Sequence, residues 1–109
     1  MLARAHVVDP IAAVESELSL WTREPLHEVL PWCMGQGTTL VAYCPLGRGL
    51  LAGRHRQLEE IRGDNFRRTL PRFQPESFDT NVGLTDRVSE IARSKGCTPA
   101  QLALAWTLV

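Results

Sequence analysis

A short apolar run, Ile11-Ala-Ala-Val14, interrupts an otherwise mixed N-terminal stretch. A run of this kind, without polar alternation, suits a strand covered on both faces, as in a parallel sheet. Leu26, Val29, Leu30 and Cys33 then fall at helical spacing, which predicts a helix over 24–34 with that set facing inward. Glu24 and Pro25 suit its first turn, because proline has no amide to leave unpaired and glutamate complements the helix dipole. Gly35 and Gly37 are expected to end it. A second strand follows at Thr38-Thr-Leu-Val-Ala-Tyr43. Strand, helix, strand in that order predicts a right-handed parallel crossover. The first nine residues, with Leu2-Ala-Arg-Ala-His-Val-Val8, read as the tail of a helix without a capping residue, and Pro10 resets the backbone.

The second half divides in two. Residues 54–80 are rich in arginine and carry Gly63, Pro71 and Pro75, which predicts an irregular loop with one helical turn at Leu58-Glu-Glu-Ile61. So long a loop in a compact domain is usually functional or disordered. Arg67, Arg68 and Arg72 read as a solvated basic surface within it. Leu84, Val88, Ile91 and Ala92 then stand at i, i+4, i+7 and i+8, the buried stripe of a helix that Gly96 stops. Thr98-Pro-Ala-Gln101 is a capping box, with threonine at the N-cap, proline at N1 and glutamine at N3. Leu102, Ala105, Trp106 and Val109 make the stripe of the helix it opens, with Trp106 as a core or interface anchor. Two parallel strands leave two open edges, and an isolated strand pair is marginal. The chain therefore reads as one α/β unit over residues 1–109, part of a larger layer.

Composition narrows the partners. Formal net charge is zero, which removes the electrostatic case for nucleic acid or an anionic membrane. No apolar run approaches the roughly 20 residues that span a bilayer, and the N-terminus lacks the apolar core of a signal peptide. Three cysteines, Cys33, Cys44 and Cys97, are odd in number and widely spaced, so reduced thiols in a cytoplasmic protein are expected rather than a disulfide framework or a zinc site. His6, His27 and His55 have no metal-ligand spacing, and no Ser-His-Asp or Cys-His arrangement offers a nucleophile. We therefore assign neither a metal site nor a catalytic residue from these groups.

One stretch does carry candidate chemistry. The second strand stops at Tyr43 and breaks into Cys44, Pro45, Leu46, Gly47, Arg48 and Gly49. Ligands of parallel sheets bind at the carboxyl ends of strands. An aromatic ring there can stack on another ring, and glycines let backbone amides approach a phosphate. Gly47, Gly49 and Gly53 space as G-x-G-x-x-x-G. That is one residue longer than a dinucleotide fingerprint, and no strand with an acidic end follows about 20 residues on. On composition alone, a plain structural turn is the simpler reading.

Four ordered segments carry the chain further. Tyr43-Cys-Pro-Leu-Gly-Arg-Gly-Leu-Leu-Ala-Gly53 resembles the strand-seven turn of the aldo-keto reductases, usually written Y-S-P-L-G-R-G-x-L-T-G. Ile11-Ala-Ala-Val-Glu-Ser-Glu-Leu-Ser-Leu-Trp-Thr-Arg23 resembles their strand-six segment. Phe66-Arg-Arg-Thr-Leu-Pro-Arg-Phe73 resembles the loop that follows. Arg93-Ser-Lys-Gly-Cys-Thr-Pro-Ala-Gln-Leu-Ala-Leu-Ala-Trp106 resembles the helix pair before strand eight. The resemblance implies an α/β fold that is part of a (β/α)8 TIM barrel, with two parallel strands and their helices. It also implies NADP(H) as cofactor and a small-molecule carbonyl substrate, an aldehyde or ketone reduced by hydride transfer.

By the same resemblance, Tyr43 stacks on the nicotinamide ring, Cys44, Pro45, Leu46, Gly47 and Arg48 lie along the pyrophosphate, and Glu15 stands where a glutamine holds the carboxamide. The match is not complete. Glu15 cannot donate to an amide oxygen unless protonated, and Cys44 replaces a serine that is the better donor. Leu18 replaces an aromatic residue. Met34-Gly-Gln36 replaces polar, helix-favouring residues and a leucine, with Gly35 costing its helix about 1 kcal/mol relative to alanine. The segments of the family that carry the Asp, Tyr, Lys and His tetrad have no counterpart in these residues, and Tyr43, the chain's one tyrosine, matches the stacking position. Two functions follow as expectations: the cofactor-holding part of a reductase, or a non-catalytic truncated product or reductase-like binding subunit.

Overall fold

The computed structural model describes residues 1–108. Helix α1 (Leu2–Val8) leads to strand β1 (Ala13–Glu17), helix α2 (Val29–Gln36) and strand β2 (Thr39–Tyr43). A run of short 3-10 turns connects β2 to the two C-terminal helices, α3 (Pro75–Ser94) and α4 (Pro99–Trp106), which are in contact. The two strands pair in parallel, with Ala13 opposite Thr39, Glu15 opposite Val41 and Glu17 opposite Tyr43. The α/β architecture and the parallel crossover are those the pattern predicts.

β1 starts later than its apolar run. Ile11 is engaged outside the ladder: its amide donates to His6 Nδ1 (3.1 Å) and its carbonyl accepts from Thr38 Oγ1 (2.9 Å). Pairing begins after the Thr39 amide reaches the Ala12 carbonyl at 3.0 Å. The strand is also not covered on both faces. Val14, Leu40 and Ala42 are half-buried, whereas Ala13, Glu15, Thr39, Val41 and Tyr43 are exposed. Because side chains alternate along a strand, these exposed residues share one open face, and that face accommodates charge.

The helix expected over 24–34 is split. Glu24–Leu26 forms one 3-10 turn, and α2 begins at Val29. Gly35 lies inside α2, and Gly37 alone ends it, at φ +67°. Cys33, the buried residue of α2, fits the predicted inward face, with Leu26, Val29 and Leu30 half-buried.

The stripe of α3 is rotated from the expected one. Phe78, Thr85 and Ala92 are buried, while Leu84 and Ile91 are 53% and 50% exposed. The reason is Phe78, a large apolar side chain in the segment read as irregular. It joins Leu50, Ile61 and Phe73 in the core, with Trp21, Leu58, Leu70 and Val82 packed around them. Burying it sets the rotation of the whole helix, and Thr85 is carried inward with its hydroxyl satisfied by the Val82 carbonyl at 2.7 Å. Gly96 stops α3 as expected: at φ +68° it lets the Cys97 amide reach Ala92 O and its own amide reach Arg93 O, a Schellman closure.

The capping box opens α4 as predicted, with Gln101 N donating to Thr98 Oγ1 (3.2 Å) and Thr98 N donating to Gln101 Oε1 (2.8 Å). Its buried residue is Ala103, flanked by half-buried Leu102 and Trp106, while Ala105 is exposed. Val109, expected to continue that stripe, lies outside the described residues. Trp106 lines a cleft of about 470 Å³ with Leu18, Leu26, Leu30, Leu40 and Ala42, an anchor position against the covered face of the sheet.

Arg67, Arg68 and Arg72 are half-buried rather than a solvated surface, whereas Arg54, Arg56 and Arg62 of the same loop are exposed. Arg68 turns inward, donating from Nε and Nη2 to Ile61 O (2.9 and 2.7 Å) and from Nη2 to Leu58 O (2.8 Å). Gln74 Nε2 then donates to Arg68 O and Leu70 O. In a loop without regular secondary structure, side-chain donors must satisfy the buried carbonyls, and the arginines do so.

Candidate functional site

Where β2 ends, the chain must turn sharply. Cys44 and Arg48 adopt left-handed conformations, at φ 49° and φ 60°. Such a conformation costs a non-glycine residue about 1–2 kcal/mol, so neighbours must hold it. The turn closes through Gly47 N to Cys44 O (3.0 Å), Gly49 N to Leu46 O (3.1 Å) and Leu51 N to Leu46 O (3.1 Å). Gly47, at φ 56°, leaves a gap in which a Cβ would lie 3.4 Å from Leu51 Cγ. Leu50 and Leu51, immediately after the turn, are buried and tie it to the core.

Tyr43 stands at the carboxyl end of the open face, 45% exposed. Arg48 Nη2 donates to its hydroxyl at 2.9 Å. The same guanidinium carbon lies 5.5 Å from the Tyr43 ring centroid and 5.1 Å from that of Phe66. The Tyr43 hydroxyl holds the Arg48 pKa above its ordinary value, so the group is a permanent cation. Arg67 secures the arrangement from the loop, with Nε donating to the Arg48 carbonyl at 2.9 Å and its guanidinium 5.3 Å from the Phe66 centroid.

A second set of contacts lies beside the first. Glu17 Oε1 accepts from Arg72 Nη2 (3.0 Å) and from Thr22 Oγ1 (3.1 Å), and Oε2 lies 3.9 Å from Arg48 Nη2. Arg72 Nη2 also donates to Thr22 Oγ1 at 3.3 Å. Arg72 Nη1 is buried with no partner, 3.9 Å from where a Cβ on Gly47 would sit.

The structure thus brings Tyr43, Cys44, Pro45, Leu46, Gly47 and Arg48 into one tight turn, with Cys44, Pro45 and Leu46 half-buried. It places Glu15 on the neighbouring strand, exposed and on the face that Tyr43 shares. Glu17 shares that face and is taken up by Arg72, Arg48 and Thr22. The contact of Phe66 with Arg48 and the link from Arg72 to Glu17 and Thr22 were not legible: they span 18, 55 and 50 residues of chain, and no local pattern encodes them. Among the described residues, no cluster of three His, Cys, Asp or Glu could hold a metal ion, and no helix is long and apolar enough to cross a membrane. What the arrangement offers chemically is a fixed aromatic ring and a cation beside it, on a tight turn whose Gly47 and Gly49 amides are bonded within it.

His55 sits behind this turn. Its Nε2 is buried with no hydrogen-bond partner among the described residues, 3.5 Å from the Cβ position of Gly49, and its ring packs edge-on to Phe73 with centroids 6.2 Å apart. Burial first, then Arg67 and Arg54, hold its pKa below the ordinary value, with Glu60 opposing. A folded-state pKa below the unfolded one means the unfolded chain binds more protons in that window. The stability from neutral His55 is therefore fully present above the unfolded value of about 6.5 and lost as pH falls from there through the lowered folded value. Melting temperatures measured across that interval should fall more for the wild-type chain than for His55→Gln.

The aldo/keto reductase family model matches residues 1–109. The chain is 42% identical over 107 residues to the probable aldo-keto reductase 1 of Glycine max, covering 98% of this chain and 31% of that protein. Its structure superposes on a glycerol dehydrogenase of Gluconobacter oxydans with a TM-score of 0.91 and 26% identity, covering 98% of this chain and 33% of the other. The chain therefore spans about a third of the length of each of these relatives.

Proposed function

Because the chain belongs to the aldo/keto reductase family, we propose that it forms the cofactor-gripping part of an NADP(H)-dependent reductase of small aldehydes or ketones, acting in the cytoplasm. The observation that carries this reading is the exposed Tyr43 ring at the end of a parallel sheet, held through its hydroxyl by a cation on the adjoining turn. The family is generally NADP-dependent, and its members act on small carbonyl compounds.

The residues present fit such a cofactor. Tyr43 offers an open ring whose rotation Arg48 restrains, and aromatic stacking contributes about 0.5–1.5 kcal/mol. Gly47 carries no side chain where a phosphate would approach, Arg48 supplies positive charge, and the unpartnered Arg72 Nη1 lies just behind. Pro45 stiffens the turn by fixing its own φ, and Leu46 contributes backbone rather than side-chain chemistry. Glu15 can accept from a carboxamide NH2 group but not donate to its oxygen. When bound, a nicotinamide dinucleotide supplies the hydride that reduces the carbonyl. Tyr43 orients the ring, as its match to the stacking position implies; the hydrogen bond from Arg48 occupies a lone pair of its hydroxyl and fixes the ring in place.

The test uses the chain's one tyrosine. Titrating NADP+ into protein carrying labelled tyrosine and glycine should move the Tyr43 ring signals and the Gly47 and Gly49 amides together, with one Kd. Tyr43→Ala should weaken that Kd by about 2- to 12-fold, the range that corresponds to loss of ring stacking. Shifts confined to other parts of the chain would rule the reading out.

A further inference from the structure

The open face of the sheet is asymmetric in charge. Its turn end carries Arg48 and Arg72, which share the single carboxylate of Glu17. Glu15, two residues earlier on the same face, is exposed and takes part in none of the ion pairs formed among the described residues. Its strand partner is Val41, so Tyr43 is its diagonal neighbour, at about 7 Å between side chains in sheets of this kind. Beside the ring position on Tyr43, Glu15 thus adds a negative charge that no ion pair among the described residues takes up.

We propose that Glu15 sets the redox-state preference of this site, favouring the oxidised dinucleotide, whose nicotinamide ring is a cation, over the reduced one, whose ring is neutral. This rests on the reading of Tyr43 as the nicotinamide platform. The two forms share the same phosphates and sugars, and Arg48 acts alike in the wild type and in Glu15→Gln, so comparing the two proteins isolates what Glu15 contributes through the charge on the ring. Two opposite unit charges about 7 Å apart at a water-exposed surface favour the oxidised form by roughly three- to sevenfold. Salt should shrink the preference, because exposed charges at that separation are screened. Glu17 contributes little to it, being neutralised by its arginines.

Glu15 makes no side-chain hydrogen bond to a described residue, so Glu15→Gln removes the charge without an expected cost in folding. The experiment is a pair of titrations, NADP+ and NADPH, read from the Tyr43 ring signals of the wild-type protein, Glu15→Gln and a remote surface control, Glu59→Gln. Cationic 1-methylnicotinamide and neutral nicotinamide serve as ring-only probes. The wild type and the control should bind the oxidised form roughly three- to sevenfold more tightly than Glu15→Gln does, with NADPH binding unchanged or slightly tighter in the variant. The two ring probes should follow the same order. Glu15→Gln weakening both forms equally, or leaving their ratio unchanged, would overturn the proposal while leaving the Tyr43 platform intact. If neither dinucleotide nor either probe moves the Tyr43 ring, the platform itself is wrong and the preference falls with it.

Discussion

Replacing Phe73 with alanine is expected to remove about 3–5 kcal/mol of folding stability. Natural domains have roughly 5–15 kcal/mol in total, so the loss should leave the chain at the edge of folding. Phe73 is 1% exposed. Its ring lies 6.1 Å from that of Phe78 and 6.2 Å from that of His55, and it packs with Leu50 and Ile61 in the same cluster. The cavity left by alanine could not be filled from either side, because α3 is held by Phe78 and the loop by its arginines. The effect should reach the candidate site: Leu50 follows the turn directly, and slack in its packing loosens Gly47–Gly49. Urea unfolding of Phe73→Ala beside Leu84→Ala checks this. Leu84 occupies the expected stripe but is half exposed, and its removal should cost far less. Comparable losses for the two variants would mean that the buried face of α3 is misassigned.

Arg68→Ala is the second large effect. Its guanidinium makes three hydrogen bonds, to the carbonyls of Leu58 and Ile61. Hydrogen bonds involving a charged group contribute about 1.5–3 kcal/mol, and carbonyls stripped of a donor keep their desolvation cost. A loss of about 2–4 kcal/mol is expected, concentrated in the loop from Leu58 to Gln74 rather than spread over the sheet. Hydrogen exchange should therefore accelerate across that loop while β1 and β2 stay protected. Arg68→Lys should restore little, because an ammonium is a point donor and cannot span two carbonyls as the planar fork does. Uniform acceleration over the whole chain would argue instead for a general loss of stability.

The two predictions share a cause that bears on what could be read in advance. The crossover, the capping box at Thr98 and Gln101, the stop at Gly96 and the turn after Tyr43 all depend on residues within a few positions of one another. Local backbone preferences decide them, and they were legible. The face of α3 was misread because Leu84, Val88, Ile91 and Ala92 satisfy helical spacing as well as Phe78, Thr85 and Ala92 do. Periodicity identifies a stripe but cannot choose between two adjacent ones. The arginines were misread for a related reason. A guanidinium is solvated by default, and only the carbonyls of a particular loop conformation give it something better to bind.

The fold class, the family resemblance and the stretch from Tyr43 to Gly53 follow from residue order alone, because glycines and a proline act through their own backbones. Which charges meet there follows only from the folded chain. Arg48 on Tyr43 and Phe66, Glu17 on Arg72, and Glu15 left without a counter-ion are outcomes of parallel strand register and a folded loop. Register brings Glu17 opposite Tyr43 and sets Glu15 on the same face, and the loop delivers Arg72 across 55 residues of chain. Coulomb interactions depend on distance in space, which separation along the chain does not specify.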